Sequence, residues 1–228
     1  FSNTSGLWGK VLGQGAGQFG VMLFFLLSGF LMSHLYWERE PTSRTLLFYA
    51  VSRVARVIPL YLVVVFFSFI IPTTYGIENI RILISHLLFL HGNNVLWTIP
   101  PEVQFYILFG LSWSMAWRRR AMVPLVLTFV FVSSFLFNDQ SGTSELFGFP
   151  VTFSIIKAIP YFAVGCILGG LYKYRDHLLP HQSNWYLFTL VLLPMLYPNI
   201  FSVVFGFEHG LWEDVRVLAI VGIIFFSL

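Results

Sequence analysis

The residue whose type and setting most invite chemistry is Glu102, in the run Trp97-Thr98-Ile99-Pro100-Pro101-Glu102-Val103-Gln104-Phe105-Tyr106. The run from Leu96 to Trp117 is otherwise apolar enough to lie within a bilayer. A carboxylate at that depth costs about 2.5 kcal/mol or more on insertion scales, so it faces a cavity or a cationic partner. Pro100 and Pro101 predict a break in the helix ladder just ahead of it. Broken backbone is tolerated at that depth where it is buried in protein or lines water. The plainer role is a cap on the helix that follows the prolines. The two roles are compatible, and the cavity-lining one is preferred.

Arg53 and Arg56 stand three residues apart at an expected helix start, which predicts that both project from one face. Two guanidinium forks on one face suit a phosphate-rich ligand such as a nucleotide cofactor. Spacing alone favours the plainer reading, anchoring of a span to lipid phosphates. His34, His86 and His91 lie near apolar segments without metal-ligand spacing, and His91 forms a polar cluster with Asn93 and Asn94. No metal is implied. Ser28, in Leu26-Leu27-Ser28-Gly29-Phe30, lacks the G-x-S-x-G elbow of a hydrolase nucleophile. Packing and a bond back to its own helix are expected of it. Cys166, the sole cysteine, reads as a small buried hydrophobe.

These residues are carried by an unusually apolar chain. Hydrophobic residues make up 57% and charged residues only 10% of it, against about 25% charged in a soluble domain. So few charges could not cover a water-facing surface, which excludes soluble and disordered classes. The net charge of +3 does not point to nucleic acid; it fits Lys and Arg kept on cytoplasmic loops. A helix needs roughly 20 apolar residues to cross the hydrocarbon core. Candidate spans run over Phe19 to Trp37, Val57 to Ile71, Leu96 to Trp117, Ala121 to Phe137, Phe153 to Tyr172 and Trp185 to Phe205, with another starting near Val215. The shorter stretch from Ile80 to Leu90 reads as a re-entrant or interfacial helix. The expected fold is all-α, a polytopic transmembrane helical bundle of about seven spans plus that short helix. It forms a single domain over 1–228, read as an internal piece of a longer protein.

Basic residues set the expected orientation. Arg39, Arg44, Arg53 and Arg56, then Arg118 to Arg120, then Lys173 and Arg175, mark cytoplasmic ends, while Glu78, Asp139, Glu145, Glu208, Glu213 and Asp214 fall on the opposite side. Gly165 with Gly169, and Gly13 with Gly17, have the small-xxx-small spacing that lets helix backbones approach closely.

Three ordered motifs resemble one family. Gly17 to Leu31, read GQFGVMLFFLLSGFL, resembles the G-x-x-G-V-x-L-F-F-x-L-S-G-F-L signature of the acyltransferase-3 family of membrane-bound acyltransferases. Phe48 to Tyr61, with Arg53, Arg56, Pro59 and Tyr61, is similar to that family's F-x-x-x-R-x-x-R-I-x-P-x-Y segment. Trp97 to Tyr106 is similar to its W-S-L-x-x-E-x-Q-F-Y segment, with Pro100 and Pro101 in place of Ser-Val, and Pro160 to Gly169 is similar to its F-x-x-G-x-x-x-G helix.

The resemblance implies acyl transfer, acetyl by default, from acyl-CoA on the cytoplasmic side to a carbohydrate or lipid-linked sugar hydroxyl. It also implies a bacterial cytoplasmic membrane and a lipid environment. By this carry-over Glu102 is catalytic, Arg53 and Arg56 hold the CoA phosphates, and Trp97, Tyr61 and Ser28 line the substrate site. The family's catalytic histidine is expected on a helix ahead of Phe1. A carrier or flippase without covalent chemistry remains the alternative, because a buried acid on a proline-broken helix also suits proton- or substrate-coupled transport. A non-catalytic membrane scaffold is a third reading. The acceptor, the acyl group and the oligomeric state stay open.

Overall fold

The computed structural model describes residues 16–71, 75–117, 143–146, 149–152, 155–172 and 215–227. The spans expected at Ala121 to Phe137 and Trp185 to Phe205, and the basic clusters at Arg118 to Arg120 and Lys173 with Arg175, lie outside the described residues.

Helix dominates: α1 (Ala16–Tyr36), α2 (Ser43–Ile70), α3 (Ile80–Leu87), a 3₁₀ turn (Asn94–Thr98), α4 (Ile99–Ala116), α5 (Ile155–Leu171) and α6 (Val215–Ser227). Two of these, Gly17–Tyr36 within α1 and the whole of α2, are long and apolar enough to cross a membrane. In α2 only 22% of the most apolar window is buried, and Leu47, Leu60, Val63, Phe67 and Ile70 stand outward. An apolar helix that turns its apolar side chains away from its neighbours suits hydrocarbon rather than water.

The structure departs from the expected elements in three places. First, α2 begins at Ser43, not near Val57, because Thr42 caps it: the Thr42 hydroxyl accepts from the Thr45 amide at 3.3 Å. Arg53 and Arg56 therefore lie within a long helix and not at its start. Second, Pro100 and Pro101 open α4 instead of breaking a longer helix. In the first turn their missing N–H groups have no intrahelical partner to lose. The 3₁₀ turn runs directly into α4 through Thr98. Third, the mostly helical structure also carries a short hairpin. Thr143–Leu146 (β1) and Phe149–Thr152 (β2) pair antiparallel, with Thr143 opposite Thr152 and Leu146 opposite Phe149. Their Thr, Val and Phe side chains suit a pleated strand, a signal hidden by the stretch being short. Glu145, expected in a loop, is on β1.

The chain divides into two compact units, Phe1–His34 with Pro160–Leu228, and Leu35–Ile159. In the first, α1, α5 and α6 pack through small residues. A Cβ on Gly165 would collide with the Leu26 carbonyl and come 2.9 Å from the Phe30 amide nitrogen; one on Gly169 would lie 2.5 Å from the Phe30 carbonyl oxygen. Gly29 presses equally closely on the Phe162 carbonyl. The Cys166 thiol lies 3.4 Å from the Gly29 carbonyl oxygen in the same seam. The expected Gly165/Gly169 packing face is thus present. On α6, Gly222 leaves room for Val164.

In the second unit α2 and α4 run antiparallel. Tyr49 meets Tyr106 and Gly110, while Tyr61 and Val65 share a core with Ile77, Leu83 and Leu96, against which Ile99 packs.

Gly165→Ala should destabilise the protein by about 1–3 kcal/mol through overpacking. Gly17→Ala, where an added Cβ meets open space, should leave stability unchanged or slightly raised. Thermal melts of the purified protein in detergent check both; equal effects would contradict the backbone-contact account.

Candidate functional site

Arg53 and Glu102 belong to one buried constellation in the second unit. Arg53 is 8% exposed and Glu102 2%. Residues 102 and 106 stand one helical turn apart on α4, so their side chains share a face. The Tyr106 hydroxyl donates to Glu102 Oε1. The Tyr106 ring in turn lies against the Arg53 guanidinium, whose Cζ is 5.7 Å from the ring centroid. Two further rings complete a cage: Arg53 Cζ is 5.8 Å from Tyr36 and 6.0 Å from Tyr49. Aromatic faces attract a guanidinium electrostatically, and more so where water is excluded.

Cation and carboxylate are thus joined through one tyrosine. The position of Glu102 in the first turn of α4 adds the favourable field of a helix N-terminus. Arg53 Nε is buried with no hydrogen-bond partner among the described residues. An N–H of a charged group left so is costly and suits an incoming acceptor.

The cage is fixed from behind. The Tyr49 hydroxyl donates to the Tyr106 carbonyl at 2.7 Å, which pins α2 to α4 at this level. Tyr36 packs edge-on to Tyr49 at 5.0 Å and lies 5.4 Å from Trp113, whose Nε1 donates to the Arg39 carbonyl at 3.0 Å. Gly110 is small where the Tyr49 ring crosses it.

Arg56 behaves differently from Arg53. The three-residue spacing was expected to put both on one face, yet Arg53 points into the cage while Arg56 is exposed. The 60° offset between positions three apart is enough to put one on each side of the helix contact. Arg56 still lies within electrostatic range of the Tyr106 phenol.

Tyr61 and Trp97 sit further along the same unit. Tyr61 is buried, stacks on Phe89 at 5.3 Å, and donates to the His86 carbonyl at 3.1 Å. Trp97 is half-buried in the 3₁₀ turn, where Gly92 passes close beneath its backbone. Ser28 lies in the first unit, on α1, 7% exposed. Among the described residues no group of three or more His, Cys, Asp or Glu could hold a metal ion.

Sequence reasoning missed the tyrosine cage. Tyr106 carried a readable signal, its one-turn spacing from Glu102. Tyr36 and Tyr49 carried none, because their approach to Arg53 is made by tertiary packing within the second unit.

The segment between α3 and α4 is a second polar centre. Helix α3 ends in a Schellman motif, with Phe89 N bonded to the His86 carbonyl at 3.0 Å and Leu90 N to the Ser85 carbonyl at 2.9 Å. Phe89 takes the left-handed conformation usually given to glycine there, φ 54°, at a cost of roughly 1–2 kcal/mol. Its stacking on Tyr61 and the Gln104 Nε2 bond to its carbonyl at 2.8 Å offset that strain.

His86 Nδ1 donates to the Ile82 carbonyl at 2.9 Å, and Nε2 accepts from the Asn93 amide at 3.2 Å. This pair of bonds selects the neutral tautomer. His91 bridges Thr152 on β2 at 2.6 Å and Asn93, so the cluster expected at His91 and Asn93 also ties in the hairpin.

Burial lowers the His86 pKa below the ordinary histidine range; the Ile82 carbonyl opposes this and nearby His91 adds to it. The unfolded chain takes up this proton near pH 6.5, the folded chain only at lower pH. The stability from neutral His86 is therefore complete above about pH 6.5 and is lost as pH falls toward the folded value. Acidification from about pH 7.5 to about pH 5 should lower the melting temperature of the wild type more than that of His86→Gln, which keeps a donor and an acceptor but does not titrate. Equal drops would contradict the assignment.

The model of the family described as "Acyltransferase domain" (acyltransferase 3) matches residues 1–228, the full span of the chain. No curated protein and no solved structure matches it. The family match is continuous through α2 and α4, which carry Arg53, Tyr106 and Glu102. The chain belongs to the acyltransferase-3 family.

Proposed function

We propose that the chain moves an acyl group, acetyl by default, from acyl-CoA to a hydroxyl of a carbohydrate or lipid-linked sugar. The setting is a multi-span helical bundle of about seven spans in the bacterial cytoplasmic membrane. The observation that carries this reading is the buried Arg53–Tyr106–Glu102 constellation in a chain matched throughout by an acyltransferase family. Membership in that family favours transfer over the carrier alternative.

In the reaction the acceptor oxygen attacks the thioester carbonyl. A C–O bond forms, the C–S bond breaks, and the hydroxyl proton passes to a base, which gives it to the departing sulfur so that CoA leaves as its thiol. Exposed Arg56 meets the anionic phosphates of the donor by charge-assisted bonds. Arg53, with Nε unpartnered among the described residues, offers a second donor deeper in. Glu102 orients the acceptor hydroxyl or the histidine base that the family resemblance implies. Trp97 supplies a flat apolar face for a sugar ring or acyl chain, Tyr61 holds the end of α3, and the family resemblance carries a substrate role to Ser28 on α1.

Loss of one charge-assisted bond costs about 1.5–3 kcal/mol, or roughly 10- to 100-fold in affinity. Arg56→Ala in the intact membrane protein should therefore raise KM for acetyl-CoA roughly tenfold or more, with kcat changed less. Arg53→Ala should raise KM further, because the buried donor and the cation under the Tyr106 ring are lost together. Release of CoA thiol from acetyl-CoA reads both. Unchanged KM and kcat in the double variant would remove the arginine pair from the donor site.

A further inference from the structure

The buried tyrosine between the two charged residues has a function separable into two parts. We propose that Tyr106 is the positioning residue of this site: its hydroxyl holds the Glu102 carboxylate while its ring holds the Arg53 guanidinium. Placement of the carboxylate is thereby tied to the arginine through one rigid side chain. The inference rests on the acyl-transfer reading and assigns a role within it.

Four observations carry it. Tyr106 is 6% exposed, so neither end of its side chain is turned to solvent. Its hydroxyl bonds Glu102 one turn back on the same helix, where a phenol has the reach that a serine or threonine lacks. Its ring centroid is 5.7 Å from Arg53 Cζ, on the neighbouring helix. Its own backbone carbonyl accepts from Tyr49, itself a wall of the Arg53 cage, so backbone, ring and hydroxyl are each fixed.

A ring that only filled space would need no hydroxyl at this depth, where an unbonded polar group is costly. A hydroxyl that only bonded Glu102 would not need to lie against a guanidinium. The two functions act on different stages. The ring–guanidinium contact shapes the site for the donor anion, whereas the hydroxyl–carboxylate bond aims the group that meets the acceptor or its base.

The two parts separate by substitution. Tyr106→Phe keeps the ring and removes the hydroxyl; Tyr106→Leu removes both. With acetyl-CoA as donor and the intact protein in native-envelope vesicles, Y106F should lower kcat tenfold or more with KM for acetyl-CoA within twofold of wild type. Y106L should lower kcat as far and also raise KM severalfold, so that the conservative phenylalanine rescues KM alone. Y106F with wild-type kcat overturns the inference while leaving acyl transfer standing. Y106F that raises KM in step with a fall in kcat also overturns it, since a purely structural role predicts that. If Y106L does not accumulate in the membrane, Y106F decides by itself. A wild type that releases no CoA from acetyl-CoA in the presence of envelope acceptors sinks the acyl-transfer reading, and this inference with it.

Discussion

Keeping an acid and a guanidinium out of water is the constraint around which the second unit is built. Transfer of either ion into a low-dielectric setting costs several kcal/mol even after relaxation. The structure offsets that cost by several modest means. Glu102 takes the tyrosine hydroxyl and the field of the α4 N-terminus. Arg53 takes the faces of three tyrosines. An aromatic cage stabilises a cation and leaves its N–H groups able to meet an anion.

The helices follow from that arrangement. Tyr49 can pin α2 to α4 only because Gly110 is small, and α4 can start beside Glu102 only because its prolines fall in the first turn. The polar segment after α3 closes the other end of the α2–α4 pair. There Phe89 is held in a strained conformation by Tyr61 and Gln104, and the His86–Asn93–His91–Thr152 bonds reach the hairpin. In the first unit the same economy of small residues brings α1 and α5 into backbone contact at Gly29, Gly165 and Gly169. Where apolar surroundings provide no hydrophobic drive between helices, close backbone approach supplies the packing.

Much of this was legible in the residues. The apolar runs marked α1, α2, α5 and α6, and the glycine spacing marked the α1–α5 seam. The acid in an apolar run singled out Glu102, and the ordered motifs pointed to the family. What was illegible has physical causes. The start of α2 lay hidden because Arg44, Arg53 and Arg56 mark Ser43 to Arg56 as a basic loop, while its cap is a single threonine. The split between Arg53 and Arg56 depends on which side of α2 meets α4, and spacing alone does not fix that side. The tyrosine cage gathers residues 36, 49 and 106, whose meeting is tertiary. The hairpin is too short for its alternation to stand out from noise.

The central claim is that the buried carboxylate of Glu102 takes part in moving an acyl group, and is more than a cap on α4. Glu102→Gln keeps the shape, a hydrogen-bonding group and the helix start, and removes the charge. The decisive measurement is CoA release from acetyl-CoA by the intact Glu102→Gln protein in envelope vesicles, beside its affinity for acetyl-CoA. Misplacing or discharging an orienting group costs on the order of 10²-fold in rate. The account predicts a loss of that size with membrane insertion and donor affinity retained. Turnover equal to wild type would contradict it and return Glu102 to the role of a helix cap.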